Sequence, residues 1–153
     1  MDYYYQRDQA RAGEMAAAMG KVGVALLALP LDEMPVIASI QVRHDAVSEG
    51  LRIEMQLGAR NEPAAGLLAW AGALPESAAA GCEFRDYVRV EVVGVLDGVT
   101  VAVWDHITGR EMGDAVRLLG LPLDGRTHGV SVAALRELAD HDENRAAKES
   151  IRA

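Results

Sequence analysis

Hydrophobic and polar residues alternate most regularly between positions 87 and 107 of the chain. Two runs rich in β-branched residues flank Asp97-Gly98, and this dipeptide favours a type I′ turn because both central residues need a positive φ. Pairing across the turn places Leu96 opposite Val99 and sets the register of both strands. The pattern therefore predicts an antiparallel hairpin.

This register gives the hairpin two different faces. One face is aliphatic and must be covered by other parts of the chain. The opposite face is mixed, with Trp104 opposite Glu91 and His106 opposite Arg89. Aromatic and arginine side chains are enriched at protein-binding surfaces, so we predict a protein contact patch here. Its members are Tyr87, Arg89, Glu91, Trp104 and His106. The alternative is an ordinary sheet face that a terminal helix partly covers.

Hydrophobic spacing also predicts the remaining elements. Alternation over residues 36–43 and 51–57 predicts a second hairpin, whereas spacings of three and four over residues 9–29 predict a helix. Further helices are predicted after Pro63, after a Thr108 capping box and after a Ser131 cap. Residues 75–86 are expected to form a loop. The order α-ββ-α-ββ-α-α indicates an α+β fold, with a four-stranded antiparallel sheet and helices packed on one face.

The predicted central helix, AAGLLAWAGAL, contains no charged residue. A helix that is apolar on all sides is normally buried on more than one side. We expect one side to meet the sheet and the other to meet a further helix or a second subunit. This segment is the main reason to expect a homodimer, and the predicted subunit interface consists of Leu67, Leu68, Trp70 and Leu74.

Length and charge limit the classes of protein. At 153 residues, the chain is expected to form a single α+β domain over 1–153, with residues 1–8 and 140–153 peripheral or frayed. A formal net charge of −8 argues against direct binding of nucleic acid. An acidic inhibitor that imitates DNA stays as an alternative. The first residues do not resemble a signal peptide, no apolar run is long enough to cross a membrane, and a cytoplasmic location is expected.

Candidate catalytic residues are few. The sequence contains no P-loop, HExxH motif or nucleophile elbow, and Cys82 is the single cysteine. Acidic neighbours of Cys82 would raise its pKa, which disfavours a catalytic thiol. The expectation is therefore a non-enzymatic protein-binding or regulatory module without cofactor or metal. A small hydrolase or metal-dependent enzyme that uses His44, His106 or His128 is the alternative.

Two segments, LLAWAGAL and VEVVGVLDGVTVAVWDHI, carry a resemblance that spans residues 61–108. In an Ala-, Val- and Arg-rich chain, they resemble small proteins of actinobacteria and of their mobile elements. The resemblance implies a bacterial or phage context and assigns no role to any residue. The element order and the acidity are also similar to those of secretion-chaperone-like α+β folds, which dimerise and bind other chains.

Overall fold

The computed structural model of the chain describes residues 2–44, 50–58 and 62–152. These form four α-helices and six β-strands, an α+β arrangement as predicted. The helices are α1 Asp2–Leu26, α2 Pro63–Ala73, α3 Arg110–Leu119 and α4 Val132–Arg152. The strands are β1 Ile37–His44, β2 Leu51–Leu57, β3 Ala78–Glu83, β4 Tyr87–Leu96, β5 Val99–Thr108 and β6 His128–Val130.

The β4–β5 hairpin has the predicted turn and register. Asp97 and Gly98 have φ angles of 48° and 76°, the positive values that a type I′ turn requires. Leu96 pairs with Val99, and the pairing continues without interruption to Tyr87 opposite Thr108. The aliphatic and mixed faces therefore lie where the alternation placed them.

The sheet is larger than predicted and is mixed rather than antiparallel. Its strand order is β1-β2-β5-β4-β3-β6, and β2 runs parallel to β5. The two hairpins thus join through one parallel pair. Two further strands, β3 and β6, extend the sheet beyond β4.

Strand β3 lies in the segment that was predicted to be a loop. Its sequence, AAAGCE, has no β-branched or aromatic side chain, so it carries little β-propensity of its own. It forms a strand because β4 presents an edge along which residues 78–83 all find partners. Gly81 also admits Leu121, since a Cβ at Gly81 would lie 3.0 Å from Leu121 Cδ1. Tertiary contacts therefore determine this strand.

All four helices contribute to one hydrophobic core on the aliphatic face of the sheet. Helix α4 packs against α2 and α3, so the terminal helix lies on the core side. The helices contribute two or more buried side chains each to this core. Among them are Val22 and Leu26 of α1, Leu67 and Trp70 of α2, Ala115 and Leu119 of α3, and Leu135 and Leu138 of α4. Within the described ranges, no helix is long and apolar enough to cross a membrane.

Helix α2 is buried by its own chain. Leu67 and Trp70 have no exposed surface, Leu74 is almost fully buried, and Leu68 packs partly buried against the core. The apolar character that suggested a subunit interface is thus satisfied by the sheet and by α4. In the folded chain, Leu67, Trp70 and Leu74 are not available to a second subunit, and the interface assigned to these residues is corrected accordingly.

The helix ends differ in part from the prediction. The Ser131 hydroxyl accepts a hydrogen bond from the Ala134 N–H at 3.0 Å, which confirms this residue as the cap of α4. The Thr108 capping box is wrong, because Thr108 ends β5 and Gly109, with a φ of 65°, precedes α3. Helix α1 begins at Asp2 and α4 continues to Arg152, so residues 2–8 and 140–152 lie in helices.

Candidate functional site

The face of the sheet opposite the helices carries the predicted contact patch, and we call it the mixed face. The alternation along each strand and the register between strands place its polar and aromatic side chains side by side. Ala102 and Cys82 are buried on this face, but neither belongs to the hydrophobic core. They lie beneath larger neighbours, which are Arg43, Arg52, Glu54, Tyr87, Arg89, Glu91, Trp104 and His106.

The aromatic side chains form a continuous row. The Phe84 and Tyr87 rings are stacked with centroids 4.8 Å apart, and Tyr87 lies 4.3 Å from the His106 ring. His106 in turn lies 4.9 Å from Trp104. The Arg89 guanidinium completes the row, 4.3 Å over the Trp104 ring. Such contacts hold each side chain in place before any partner binds.

A network of ion pairs crosses four strands beside this row. Arg52 Nη2 donates to Glu91 Oε2 at 2.6 Å, which links β2 to β4 across β5. Arg89 Nη2 lies 3.7 Å from Glu54 Oε1 and 3.8 Å from Glu91 Oε2. Arg43 of the edge strand lies 3.4 Å from Glu54. Because both glutamates are mostly buried, with 11% and 16% of their side-chain surface exposed, the network is more than a set of solvated surface charges.

An open concavity of about 430 Å³ lies over this network. Arginines outnumber glutamates along its wall, although the whole chain carries a net charge of −8. The concavity can therefore accept an acidic group while the aromatic row offers apolar contact beside it. Its lining consists of Arg43, His44, Arg52, Glu54, Cys82, Phe84, Arg89, Glu91 and Thr127.

The structure brings all five predicted patch residues onto one face. Sequence reasoning missed the contributions of Arg52, Glu54 and Phe84. The polar alternation of β2 was recognised, but it gave no information that β2 pairs with β5 and so brings Arg52 to Glu91. Phe84 lay in the segment predicted to be a loop.

Two titratable groups on the mixed face have pKa values that are shifted in the direction that favours the uncharged form. Burial, together with the positive charge of Arg89, lowers the pKa of His106, so its ring is a neutral aromatic neighbour of Tyr87 and Trp104. Burial and the Asp124 carboxylate raise the pKa of the Cys82 thiol, although Arg89 opposes this shift. A thiol held in its protonated form is a poor nucleophile.

The histidines have different partners. His128 Nε2 lies 2.8 Å from Asp124 Oδ2, and this hydrogen bond is the main reason that the Asp124 pKa is lowered. His141 contacts Asp114 at 3.2 Å between α3 and α4. His44 ends the edge strand and lines the concavity. Over residues 2–44, 50–58 and 62–152, no three His, Cys, Asp or Glu side chains are grouped so that they could hold a metal ion.

In comparisons with protein-family models, curated proteins and solved structures, no significant match to this chain was found. The similarity to small actinobacterial proteins and to secretion chaperones therefore stays a prediction. The geometry of the mixed face is the basis for any functional proposal.

Proposed function

We propose that the chain is a non-enzymatic protein-binding or regulatory module, which uses the mixed face to bind a segment of another protein. The observation that supports this most directly is the position of Arg89, which stacks on Trp104 and faces Glu54 and Glu91. Trp, Tyr and Arg are the residues that most often dominate binding energies at protein interfaces. Here they are already ordered, so little conformational entropy is lost on binding.

The arrangement of charge favours a protein segment over a nucleic acid. Glu54 and Glu91 lie among the arginines, and these carboxylates would repel a phosphate backbone. A polypeptide can satisfy both signs of charge. The expected partner presents an acidic side chain to Arg52 and Arg89 and an apolar or aromatic side chain to Trp104 and Tyr87.

The proposal includes action as a homodimer in the cytoplasm. A single buried cysteine suits a reducing compartment, because it forms no disulfide within the chain. We also propose a regulatory role, because the mixed face would bind a segment of the partner and block it without altering it chemically.

A random-peptide display library selected on the purified protein tests the binding face. We expect enrichment of peptides that combine acidic and aromatic residues, with affinities that fall at least tenfold on Trp104→Ala and on Arg89→Ala. Leu123→Ala is the matched control, because Leu123 is an exposed apolar residue that belongs to no strand and does not line the concavity. Its affinities are expected to equal those of the wild type.

Two results would overturn the proposal. One is a selection in which the recovered peptides share no sequence pattern. The other is a set of peptides that bind wild type, Trp104→Ala and Leu123→Ala equally well, which would place the contact elsewhere. Circular dichroism of each variant confirms that the fold is retained.

A further inference from the structure

Strand β1 forms one edge of the sheet. It pairs with β2 on one side, and no strand among the described residues pairs with its other side. Pairing with β2 is regular from Ser39 to His44, after one irregularity near Ile37. Edge strands are usually shielded by proline, by central charges or by bulges. Here the irregularity lies at the start of the strand and Arg43 lies near its end, which leaves Ile40 to Val42 without such a feature.

The surface beside this edge is apolar. Ile40 pairs with the buried Met55 and so points toward the helix side of the sheet, yet it is 49% exposed. Val36, just before the strand, is 75% exposed. Val36 and Ile40 lie just before and within β1, so the exposed apolar residues follow the edge strand itself.

We propose that this edge binds a second copy of the chain, with β1 of the two copies paired antiparallel about a twofold axis. The charged residues at the two ends of β1 favour a second copy of the chain as the binding partner. Arg43 and His44 end the strand, whereas Asp32 and Glu33 precede it. Antiparallel pairing brings the basic end of one β1 toward the acidic segment of the other, twice by symmetry.

The pleat of the sheet determines which residues meet. Directly opposed residues of paired strands point to the same face, so Ile40 comes beside Ile40 or Val42 of the second copy and loses its exposure. The twofold axis is perpendicular to the sheet, and both mixed faces therefore point to the same side. Two binding faces on one surface would strengthen binding to a partner that presents the recognised segment twice.

This inference rests on the homodimer in the proposed function and names its interface. Light scattering of the purified chain is expected to give twice the monomer mass of 16.4 kDa. Ile40→Lys is expected to give the monomer mass, because the lysine charge would be buried beside the twofold axis. Val95→Lys is the matched control, since Val95 is also an exposed strand residue, at 51%, and it should stay dimeric.

Disulfide trapping is a second test, in which the expected result is a covalent dimer rather than loss of the dimer. A misfolded variant could not imitate that result. Ile40→Cys and Gln41→Cys are prepared singly in a Cys82→Ala background, together with Val95→Cys as the control. Ile40→Cys lies on the axis if Ile40 opposes Ile40, and Gln41→Cys lies on the axis if Ile40 opposes Val42. Mild oxidation is expected to crosslink the variant nearest the axis into a covalent dimer and to leave Val95→Cys monomeric. A monomeric wild type, or a dimer that neither Ile40→Cys nor Gln41→Cys crosslinks, would overturn the inference. Peptide binding by the mixed face is measured independently, so failure of the dimer is distinguished from failure of the binding face.

Discussion

The Arg89 guanidinium carbon lies 4.3 Å from the centroid of the Trp104 ring, across the β4–β5 hairpin at the centre of the mixed face. The two residues are not directly opposed, because Arg89 pairs with His106 and Glu91 pairs with Trp104. Their contact is diagonal, within the reach of long side chains on neighbouring strands. Arg89 thereby covers one side of the Trp104 ring.

Removal of Arg89 is expected to expose Trp104. In the Arg89→Ala variant, acrylamide should quench tryptophan fluorescence more strongly than in wild type, while stability falls by about 0.5–1 kcal/mol, the usual size of an exposed cation–π contact. Trp70 is fully buried and should contribute a constant, poorly quenched signal. The control is Trp104→Phe, in which Arg89→Ala should leave quenching unchanged. An equal effect in both backgrounds would show that Arg89 does not cover Trp104.

Asp105 predicts a pH dependence of stability. One carboxylate oxygen accepts the His106 N–H at 2.8 Å, but the other is buried without a hydrogen-bond partner among the described residues. Burial raises the pKa of Asp105 to about 6, although the His106 hydrogen bond opposes this shift. The unfolded chain ionises near the ordinary pKa of 3.8. Between pH 3.8 and about 6, the folded chain therefore keeps a proton on Asp105 that the unfolded chain has lost. The free energy of unfolding falls as pH rises through this window.

Asp105→Asn should remove this dependence. The amide oxygen can still accept from His106, and no charge is buried. We expect the variant to gain up to about 3 kcal/mol relative to wild type above pH 6, and to lose that advantage as pH falls toward the ordinary carboxyl pKa. Urea unfolding of both proteins over this range measures the difference. A stability difference that is independent of pH would contradict the raised pKa.

Particular residues show how far the sequence could predict the fold and the site. Asp97-Gly98 determines a turn by local conformational preference, and from it the register that places Arg89 near Trp104 could be derived. Nothing local brings β2 beside β5, because this pairing joins segments far apart in the chain. The Arg52–Glu91 ion pair was therefore not predictable. Strand β3 was missed for a similar reason, since its alanines form a strand only on the edge that β4 provides.

The approach of α2 to the sheet depends on Gly94. A Cβ at this position would lie 2.9 Å from Leu74 Cβ, a distance that side-chain rotation cannot relieve. Gly94→Ala should therefore destabilise the chain by roughly 1–3 kcal/mol, as overpacked core positions do. Gly129→Ala in β6 is the matched control, because no described atom beyond Gly129 and its two chain neighbours lies within 4 Å of its Cβ position. Urea unfolding should show a lower free energy of unfolding for Gly94→Ala alone. An equal decrease in both variants would contradict the close approach of Leu74 to Gly94.

Ser131 and Thr108 were both predicted to cap helices, and the structure distinguishes them. Ser131→Ala removes the acceptor of the Ala134 N–H at the start of α4, which should cost about 1 kcal/mol. Thr108 is an exposed residue at the end of β5, so Thr108→Ala should change stability by no more than about 0.5 kcal/mol. Thermal unfolding of the two variants beside wild type measures both effects. Since α4 packs against α2 and α3, loss of its cap should lower the stability of the whole fold rather than fray one helix. A larger loss for Thr108→Ala than for Ser131→Ala would restore the capping box at α3 and contradict the observed start of that helix.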